Sequence, residues 1–341
     1  MSLQLAVDRD TIDRVAAAER SRARRQRQLA TARWAASFIG RRLAVSLLSI
    51  WIVTLGIFGL VRVLGGDVAR TSAGPDASPA QVEAARIRLG LDRSLPEQYV
   101  DFVSGIVTGD LGESYRTGTP VWDEITARLP ATLKLAVAAT AFGSLVGLVL
   151  GGIAAVKRGT WVDSVVSFIG IAGISIPVFW LGLMLISLLA VTYNVFPVTG
   201  DDEPLSIVLP ALTVSVFPIG LVTRMTRASL LDTLGSDYAR TARSKGTSRP
   251  AVIVRHCLRN AAIPVVTVIG LQFGALLGGA VLVESVYAWP GLGRYLVGAV
   301  ETRDIAVVQG LAVVFAVVFI VVNLAVDLLY VAIDPRLRDN R

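Results

Sequence analysis

The chain has 341 residues, of which 53% are hydrophobic and only 17% are charged, with a mean hydropathy of +0.63. This composition excludes an ordinary soluble domain, because a protein so rich in apolar residues needs a lipid bilayer as part of its solvent. The net charge of +7 does not indicate nucleic-acid binding, because the arginines and lysines are confined to short segments between long apolar runs.

The chain begins with a basic arm, residues 1–37, which is rich in alanine and arginine. We expect this arm to be disordered or to lie on a surface in the cytoplasm, and contact with anionic lipid headgroups is the alternative. The apolar run that follows, residues 43–64, is longer than the hydrophobic part of a signal peptide. We therefore predict a retained transmembrane helix over residues 38–64.

Residues 65–130 are predicted to form a small helical cap outside the membrane. Two capping-box patterns mark helix starts and two glycines mark helix ends: Ser78 with Gln81, Ser94 with Glu97, Gly90 and Gly109. A segment of this length is too short for a sizeable core of its own. We expect it to pack on the membrane domain or on a partner.

Five further apolar runs are long enough to span the hydrocarbon core of a bilayer. They cover residues 131–156, 162–191, 206–225, 263–286 and 305–333. The sequence thus predicts an all-α integral membrane protein with six transmembrane helices. A core of five helices would cover residues 131–334, and residues 335–341 would form a cytoplasmic tail.

The distribution of arginine and lysine predicts how these spans are oriented. One side of the membrane receives 23 of them and the other receives eight. Six of the eight lie in the 65–130 segment, where ten acidic residues outnumber them. The positive-inside rule therefore places both termini, and the loop between the fourth and fifth spans, in the cytoplasm.

That loop, residues 236–260, is predicted to contain two short helices hinged at Gly246. A left-handed glycine would end the first helix, Ser248 or Arg249 would cap the second, and Pro250 suits its first turn. We expect one face of the second helix to carry Val252, Ile253, His256 and Cys257. Such a pair of helices is suited to docking in the groove of a soluble partner, and a solvated basic loop that only determines topology is the alternative.

Six short motifs resemble those of the ABC importer permeases, in the B-type subunits of dipeptide, oligopeptide and nickel transporters. They are LGLD (89–92), TGDLG (108–112), RLPAT (128–132), SIPVFWLG (175–182), AWPGLG (288–293) and VDLLY (326–330). The 236–260 loop also resembles the EAA-type coupling loop of this family, with Arg240 and Thr241 where the general pattern has Glu and Ala. The resemblance covers about residues 38–338.

The resemblance implies a type I ABC importer permease in the bacterial cytoplasmic membrane. A second, homologous C-type permease, one or two ABC ATPase subunits that bind ATP and Mg²⁺, and an extracytoplasmic substrate-binding protein would be its partners. The chain itself would be no enzyme and would bind no cofactor or metal; it contains no Gly-Lys pair, which a Walker A loop requires. Coupling to the ATPase would involve Asp237, Tyr238, Arg240, Thr241, Ala242, Arg243, Lys245, Gly246, Arg249, Arg255 and His256.

Four residues are candidates for the translocation path. Ser175 and Pro177 lie inside the third span, where proline removes a backbone hydrogen bond and is expected to kink the helix. Gln272 in the fifth span would be costly to expose to lipid. Glu284, at the outer end of that span, is placed to contact a peptide amino terminus or to mark the membrane interface.

Other functions are weaker interpretations of the same sequence. An ion-coupled secondary transporter would show ionisable residues at mid-membrane and paired inverted halves, and neither is evident. An intramembrane hydrolase would need a nucleophile and a base at bilayer depth, yet the single histidine, His256, lies in the loop beside the single cysteine. A sensor or scaffold stays open, as does the substrate: a dipeptide or oligopeptide, a nickel chelate or glutathione.

Overall fold

The structure of the protein, a computed structural model, describes residues 37, 39–60, 68–74 and 76–333. Apart from Ser37, the predicted N-terminal arm lies outside the described residues, and so does the predicted tail. The described residues divide into two units, one ending at Ser49 and the other spanning Ile50–Ile333. They contain helices and turns, with one isolated β-bridge between Glu113 and Pro120.

The helices of the described part are numbered in chain order. They are α1 (Ile39–Leu60), α2 (Val68–Ala73), α3 (Pro79–Arg88), α4 (Leu95–Thr108), α5 (Val121–Val156), α6 (Trp161–Ser175), α7 (Val178–Leu185), α8 (Val208–Gly235), α9 (Asp237–Ser244), α10 (Arg249–Val252), α11 (Leu258–Gly279), α12 (Val281–Val286), α13 (Leu292–Glu301) and α14 (Ile305–Ile333). Two π-helical stretches continue α7 and α10, at Ile186–Thr192 and Ile253–Cys257.

Five helices are long and apolar enough to cross a membrane: α1, α5, α8, α14 and the continuous helix Pro250–Gly278. The pair Trp161–Ser175 and Val178–Thr192, which is α6 and α7 with its π-helical continuation, passes the same test only when taken together and is bent by 102° at its break. With this pair counted as one span, the prediction of a six-span, all-α protein is confirmed. Pro177 explains the break, because it has no N–H and because Ile176 before it takes the extended conformation (φ −77°, ψ 127°) that a following proline favours.

Several predicted boundaries differ from the observed ones. α5 begins at Val121 instead of residue 131, and α8 continues past residue 225 to Gly235. The fifth span begins at Pro250 and ends at Gly278, instead of covering 263–286. A hydropathy pattern stops at charged residues, whereas a helix continues as long as its backbone hydrogen bonds do. The last residues of the predicted cap therefore belong to α5. Residues 250–260 of the predicted loop belong to the Pro250–Gly278 helix.

The cap helices begin and end as the sequence predicts. The Ser78 amide donates to Gln81 Oε1 (2.8 Å), and the amide and hydroxyl of Ser94 both donate to Glu97 Oε2. These two hydrogen bonds to the Glu97 carboxylate hold its pKa below the ordinary value. The helices end at glycines with left-handed backbones, Gly90 (φ 64°) and Gly109 (φ 81°).

The cap also packs on the first span through aromatic contacts. The Tyr99 hydroxyl of α4 lies 3.0 Å from the Thr54 hydroxyl of α1, and the Tyr99 ring meets the Phe58 ring edge-on, with 5.2 Å between centroids. Phe102 contacts the same Phe58 ring at 6.0 Å. The expectation that the cap packs on the membrane domain thus has a structural basis in these side chains.

A row of glycines brings α5 and α8 close together. Gly143, Gly147 and Gly151 follow each other at four-residue spacing on α5 and are buried against α8. A Cβ added to Gly147 would lie 2.7 Å from the Cβ of Val222, a distance that ordinary side chains do not reach. Small residues at this spacing let two helix backbones approach each other in a membrane.

Replacing Gly147 with alanine should therefore destabilise the protein. The new methyl group must push α5 away from α8, an overpacking effect of about 1–3 kcal/mol. We expect a lower midpoint of thermal unfolding for Gly147→Ala in detergent. The matched control is Gly152→Ala on the same helix, where an added Cβ meets nothing within 4 Å. An unchanged midpoint for Gly147→Ala would contradict the close packing of α5 and α8.

The buried Glu284 carboxylate joins three helices at the other end of α5. It accepts hydrogen bonds from the Thr132 hydroxyl (2.8 Å), the Gly293 amide (2.7 Å) and the Arg294 amide (3.2 Å). The Thr132 oxygen in turn accepts from the Leu292 amide at 2.8 Å. This network connects α5, α12 and the N-terminus of α13.

Two features of the AWPGLG motif follow from this junction. The Trp289 indole N–H donates to the Ala131 carbonyl at 2.9 Å, and the ring is almost fully buried. A side chain at Gly291 would collide with the Glu284 carboxylate, so this position has room only for glycine. The motif is thus explained by packing around one buried acid.

Candidate coupling site

The loop between α8 and the Pro250–Gly278 helix contains the eight-residue helix α9. Ser236 separates α9 from α8 through an extended backbone (φ −70°, ψ 158°), and its carbonyl accepts the first hydrogen bond of α9, from the Arg240 amide at 3.1 Å. Asp237 lies in the first turn, where a negative side chain interacts favourably with the positive end of the helix dipole. The chain therefore forms a sharp corner and a new helix at residue 237.

The end of α9 is a left-handed glycine turn. Gly246 has φ 81°, its amide donates to the Arg243 carbonyl (3.0 Å), and the Thr247 amide donates to the Ala242 carbonyl (3.2 Å). These are the two hydrogen bonds of a Schellman motif, in which glycine is favoured because it adopts positive φ without steric cost. The predicted left-handed glycine at the end of this helix is present in the structure.

One side of α9 is buried against the helix ends beneath it. Ala239 is fully buried and packs in a cluster with Leu230 of α8, with Val252 and with Cys257. Ala242 is half-buried against the same cluster. The sequence analysis did not select Ala239. The inner face of α9 could have been recognised from Ala239 and Ala242, two apolar residues three positions apart in a polar helix.

The other side of α9 is exposed and polar, and three of its residues are basic. The exposed predicted coupling residues are Asp237, Tyr238, Arg240, Thr241, Arg243 and Lys245. Arg243 also donates hydrogen bonds to the carbonyls of Leu234 (2.8 Å) and Ala239 (3.2 Å), which fastens α9 to the end of α8. α9 is thus anchored on one side and presents polar side chains on the other.

The second half of the predicted hairpin differs from the expectation. Residues 249–257 are not a separate short helix but the first turns of the long helix that becomes α11. Within it, Ile253–Cys257 is π-helical, so Val252 and Cys257, five residues apart, are the buried pair. The predicted coupling residues Arg255 and His256 are exposed, so His256 does not lie on the same face as Val252 and Cys257. The side chain of Arg249 lies outside the described part.

An ion pair between α8 and α6 was not predicted from the sequence. Arg227 of α8 forms two hydrogen bonds to the Asp163 carboxylate at the start of α6, at 2.6 Å and 2.8 Å. The Gly159 amide also donates to this carboxylate, at 3.0 Å. The two residues are far apart in the sequence, and their pairing depends on the packing of α6 on α8.

The four candidates for the path fall in different environments. Ser175 and Pro177 are exposed at the break between α6 and α7, and the Ser175 hydroxyl donates to the Ile171 carbonyl at 3.0 Å. Gln272 is half-buried on α11. Glu284 is fully buried in the junction of α5, α12 and α13, so its assignment to the path is corrected: the carboxylate is occupied by internal donors.

Comparison with known proteins places these features in one family. A family model described as a binding-protein-dependent transport system inner membrane component matches residues 147–339, and the corresponding N-terminal model matches residues 35–136. This chain belongs to that family. The resemblance to ABC importer permeases is therefore confirmed, and the chain is a multi-pass membrane protein.

Individual relatives cover nearly the whole chain. It is 41% identical over 336 residues to the dipeptide transport system permease protein DppB of Escherichia coli (strain K12), covering 89% of this chain and 99% of the relative. It is 43% identical over 302 residues to the glutathione transport system permease protein GsiC of the same strain, with the same coverage. Both relatives are transport permeases.

A solved structure agrees with the fold. The MetNI methionine ABC transporter in an inward-facing conformation superposes with a TM-score of 0.53 at 20% identity, covering 62% of this chain and 96% of that chain. At this identity the comparison supports the fold alone. The shared arrangement is that of a type I ABC importer permease.

Proposed function

We propose that this chain is one of two permease subunits of an ATP-driven importer of dipeptides or short oligopeptides. The observation that carries the proposal is α9, a helix that is clamped to the ends of two spans through Ala239 and exposes a polar outer side with three basic residues. A motion imposed on such a helix from outside passes directly into α8 and the Pro250–Gly278 helix. Family membership supports the same function.

The proposal divides the work among subunits. ATPase subunits bind ATP and Mg²⁺ and move α9 as they close, and an extracytoplasmic binding protein supplies the substrate. A second, C-type permease forms the path together with this chain. The membrane domain then exchanges between two states, and each partner must prefer one of them for the cycle to run.

The substrate class rests on the relatives. One is a dipeptide permease and another a glutathione permease, and both are more than 40% identical to this chain. We propose peptides as the substrates and glutathione as the second candidate. The deciding experiment is uptake of labelled dipeptides and of labelled glutathione by the assembled importer with its own binding protein. Uptake of neither compound would overturn the proposed substrate class.

The orientation is also a proposal, supported by the distribution of basic residues: α9 and both termini face the cytoplasm. Cys257 is fully buried, so an introduced cysteine is the reactive one in this chain. We expect Ser244→Cys, exposed on α9, to crosslink to an ATPase subunit in the membrane.

The matched control is Thr117→Cys, an exposed position on the opposite side of the membrane in this orientation. It should give no ATPase crosslink and should react with a membrane-impermeant maleimide in spheroplasts, where Ser244→Cys should not. Labelling of Ser244→Cys from outside would overturn the orientation. No crosslink from Ser244→Cys in a transport-active complex would overturn the role of α9.

A further inference from the structure

A cavity of about 440 Å³ lies among residues that precede α5, the first part of α5, α13 and the start of α14. The residues that determine its chemistry are Ser114, Arg116, Arg128, Arg294, Tyr295 and Asp304. In the proposed orientation this cavity opens on the extracytoplasmic side. Nothing in the proposed function uses it.

The floor of the cavity is built around Asp304. This carboxylate is almost fully buried and accepts a hydrogen bond from the Ser114 hydroxyl at 2.5 Å. The amides of Arg116 and Val307 also donate to it, each at 3.4 Å. The negative charge of Asp304 is therefore occupied in holding the 114–117 turn against α14.

Three arginines line this cavity: Arg116, Arg128 and Arg294. Arg128 pairs with Glu124 and stacks on the Tyr295 ring, with 4.3 Å from its Cζ to the ring centroid. Arg294 donates to the Ala288 carbonyl at 2.7 Å and, like the exposed Arg116, forms no ion pair with an acid of the described residues. The cavity thus has an excess of positive charge and two arginines without an acidic partner.

A buried hydroxyl adds a neutral donor to the same cavity. The Tyr295 oxygen is shielded from solvent and has no hydrogen-bond partner among the described residues. Burial, followed by the nearby Glu124 carboxylate, raises the pKa of Tyr295, so this hydroxyl keeps its proton. A buried donor without a partner costs free energy, so a carboxylate that reached this hydroxyl would be stabilised by it.

We propose that this cavity receives an aspartate or glutamate side chain of the extracytoplasmic binding protein when that protein docks. A carboxylate matches the planar fork of an arginine and accepts from a hydroxyl at the same time. The inference rests on the proposed function, because it needs both the binding protein and the proposed orientation.

The position of the cavity favours the binding protein over the transported peptide. Its lining comes from the 114–117 turn, the 290–307 segment and Arg128 in the first turns of α5. No lining residue belongs to α7, α8 or α11. The spans α5 and α14 contribute only Arg128 and Val307, near their extracytoplasmic ends, and a docked protein would cover these ends, whereas a peptide in transit would contact the middle of the spans.

The test uses the complete importer in nanodiscs, with its ATPase rate measured against the concentration of peptide-loaded binding protein. We expect Arg116→Gln to raise the half-saturating concentration by about tenfold and Arg116→Glu to raise it further. The maximal rate should be recovered at high binding protein. The matched control is Arg303→Gln, an exposed arginine of the same outer region that does not line the cavity, which should stay within about twofold of the wild type.

Salt dependence and charge reversal make the test specific. Raising the NaCl concentration should weaken docking of the wild type more steeply than that of Arg116→Glu, because one charged contact has been removed. A binding protein carrying Asp→Lys or Glu→Lys at the docked position should bind the Arg116→Glu complex better than the wild type. The docked position is found by replacing each acidic residue of the binding protein with lysine in turn. If the inference is right, one of these variants binds the Arg116→Glu complex better than the wild-type complex.

Two results would overturn the inference. The first is an unchanged half-saturating concentration in both Arg116 variants. The second is peptide uptake by these variants that stays low at saturating binding protein. That result would assign the cavity to the peptide carboxylate. Failure of the proposed function looks different, because the binding protein would then not stimulate the wild-type complex either.

Discussion

Gly246→Val should uncouple ATP hydrolysis from import while the protein still inserts into the membrane. Gly246 has φ 81°, and a β-branched residue is strongly disfavoured there. The left-handed conformation costs an ordinary residue about 1–2 kcal/mol, and a branched one more. Because about 1.4 kcal/mol corresponds to a factor of ten in an equilibrium constant, the equilibrium constant of the native turn after α9 should fall by about tenfold. α9 would then lose the end that holds it on α8 and the Pro250–Gly278 helix.

The measurement is ATP hydrolysis and peptide uptake by the same reconstituted complex. We expect hydrolysis to continue while uptake falls by about tenfold or more, since the ATPase keeps its own active site and loses its connection to the spans. Gly246→Asn is the conformational control, because asparagine tolerates positive φ, and it should retain most of the uptake. Gly235→Val is the control for side-chain size at the end of α8, where an added Cβ meets nothing within 4 Å.

Wild-type uptake by Gly246→Val would show that the turn does not depend on a left-handed residue. Loss of uptake in Gly235→Val to the same degree would show that any bulk near α9 is harmful. Either result would remove the basis for assigning coupling to the conformation at Gly246.

Glu284→Ala should destabilise the protein even more than Gly147→Ala. It leaves the Thr132 hydroxyl and the amides of Gly293 and Arg294 buried without their acceptor. An unsatisfied buried donor costs about 1–3 kcal/mol, so the combined loss is expected to reach several kcal/mol. The α5, α12 and α13 junction would open, and little folded protein should remain in the membrane.

The measurement is the amount of folded protein in membranes, followed by its thermal unfolding in detergent. Glu284→Gln keeps one acceptor oxygen and nearly the same shape, so it should lie between the wild type and Glu284→Ala. Glu301→Ala at the exposed end of α13 is the matched control and should stay within about 0.5 kcal/mol of the wild type. Wild-type stability of Glu284→Ala would show that the carboxylate does not hold the junction.

Local patterns were predicted well because they depend on neighbours in the chain. The capping box at Ser78, the glycine end at Gly109 and the left-handed turn at Gly246 all follow from backbone chemistry within a few residues. The break at Pro177 was predicted only as a kink, although the pair bends by 102°. A proline indicates where a helix is interrupted, but neighbouring helices decide how far the chain turns there.

Residues whose role depends on distant partners were predicted poorly. Glu284 was predicted to contact a peptide amino terminus or to mark the membrane interface, because it follows the apolar run of the fifth span, yet Thr132 and α13 enclose it. Val252, Ile253, His256 and Cys257 were predicted to share one face because an α-helical spacing was assumed, and the π-helical turn buries Val252 and Cys257 while leaving His256 exposed. The Asp163 and Arg227 pair had no signal in the sequence at all.

The sequence by itself determined that this is a six-span membrane protein. It also determined where the cap helices begin and end, and where a glycine ends α9. These properties follow from the transfer of apolar segments into lipid and from hydrogen bonds between near neighbours. Only the tertiary structure decided which polar side chains are buried, which face of the 249–257 segment packs inward, and which arginines line the cavity beside Asp304. Burial and pairing depend on groups brought together from separate helices, and no spacing along the chain records them.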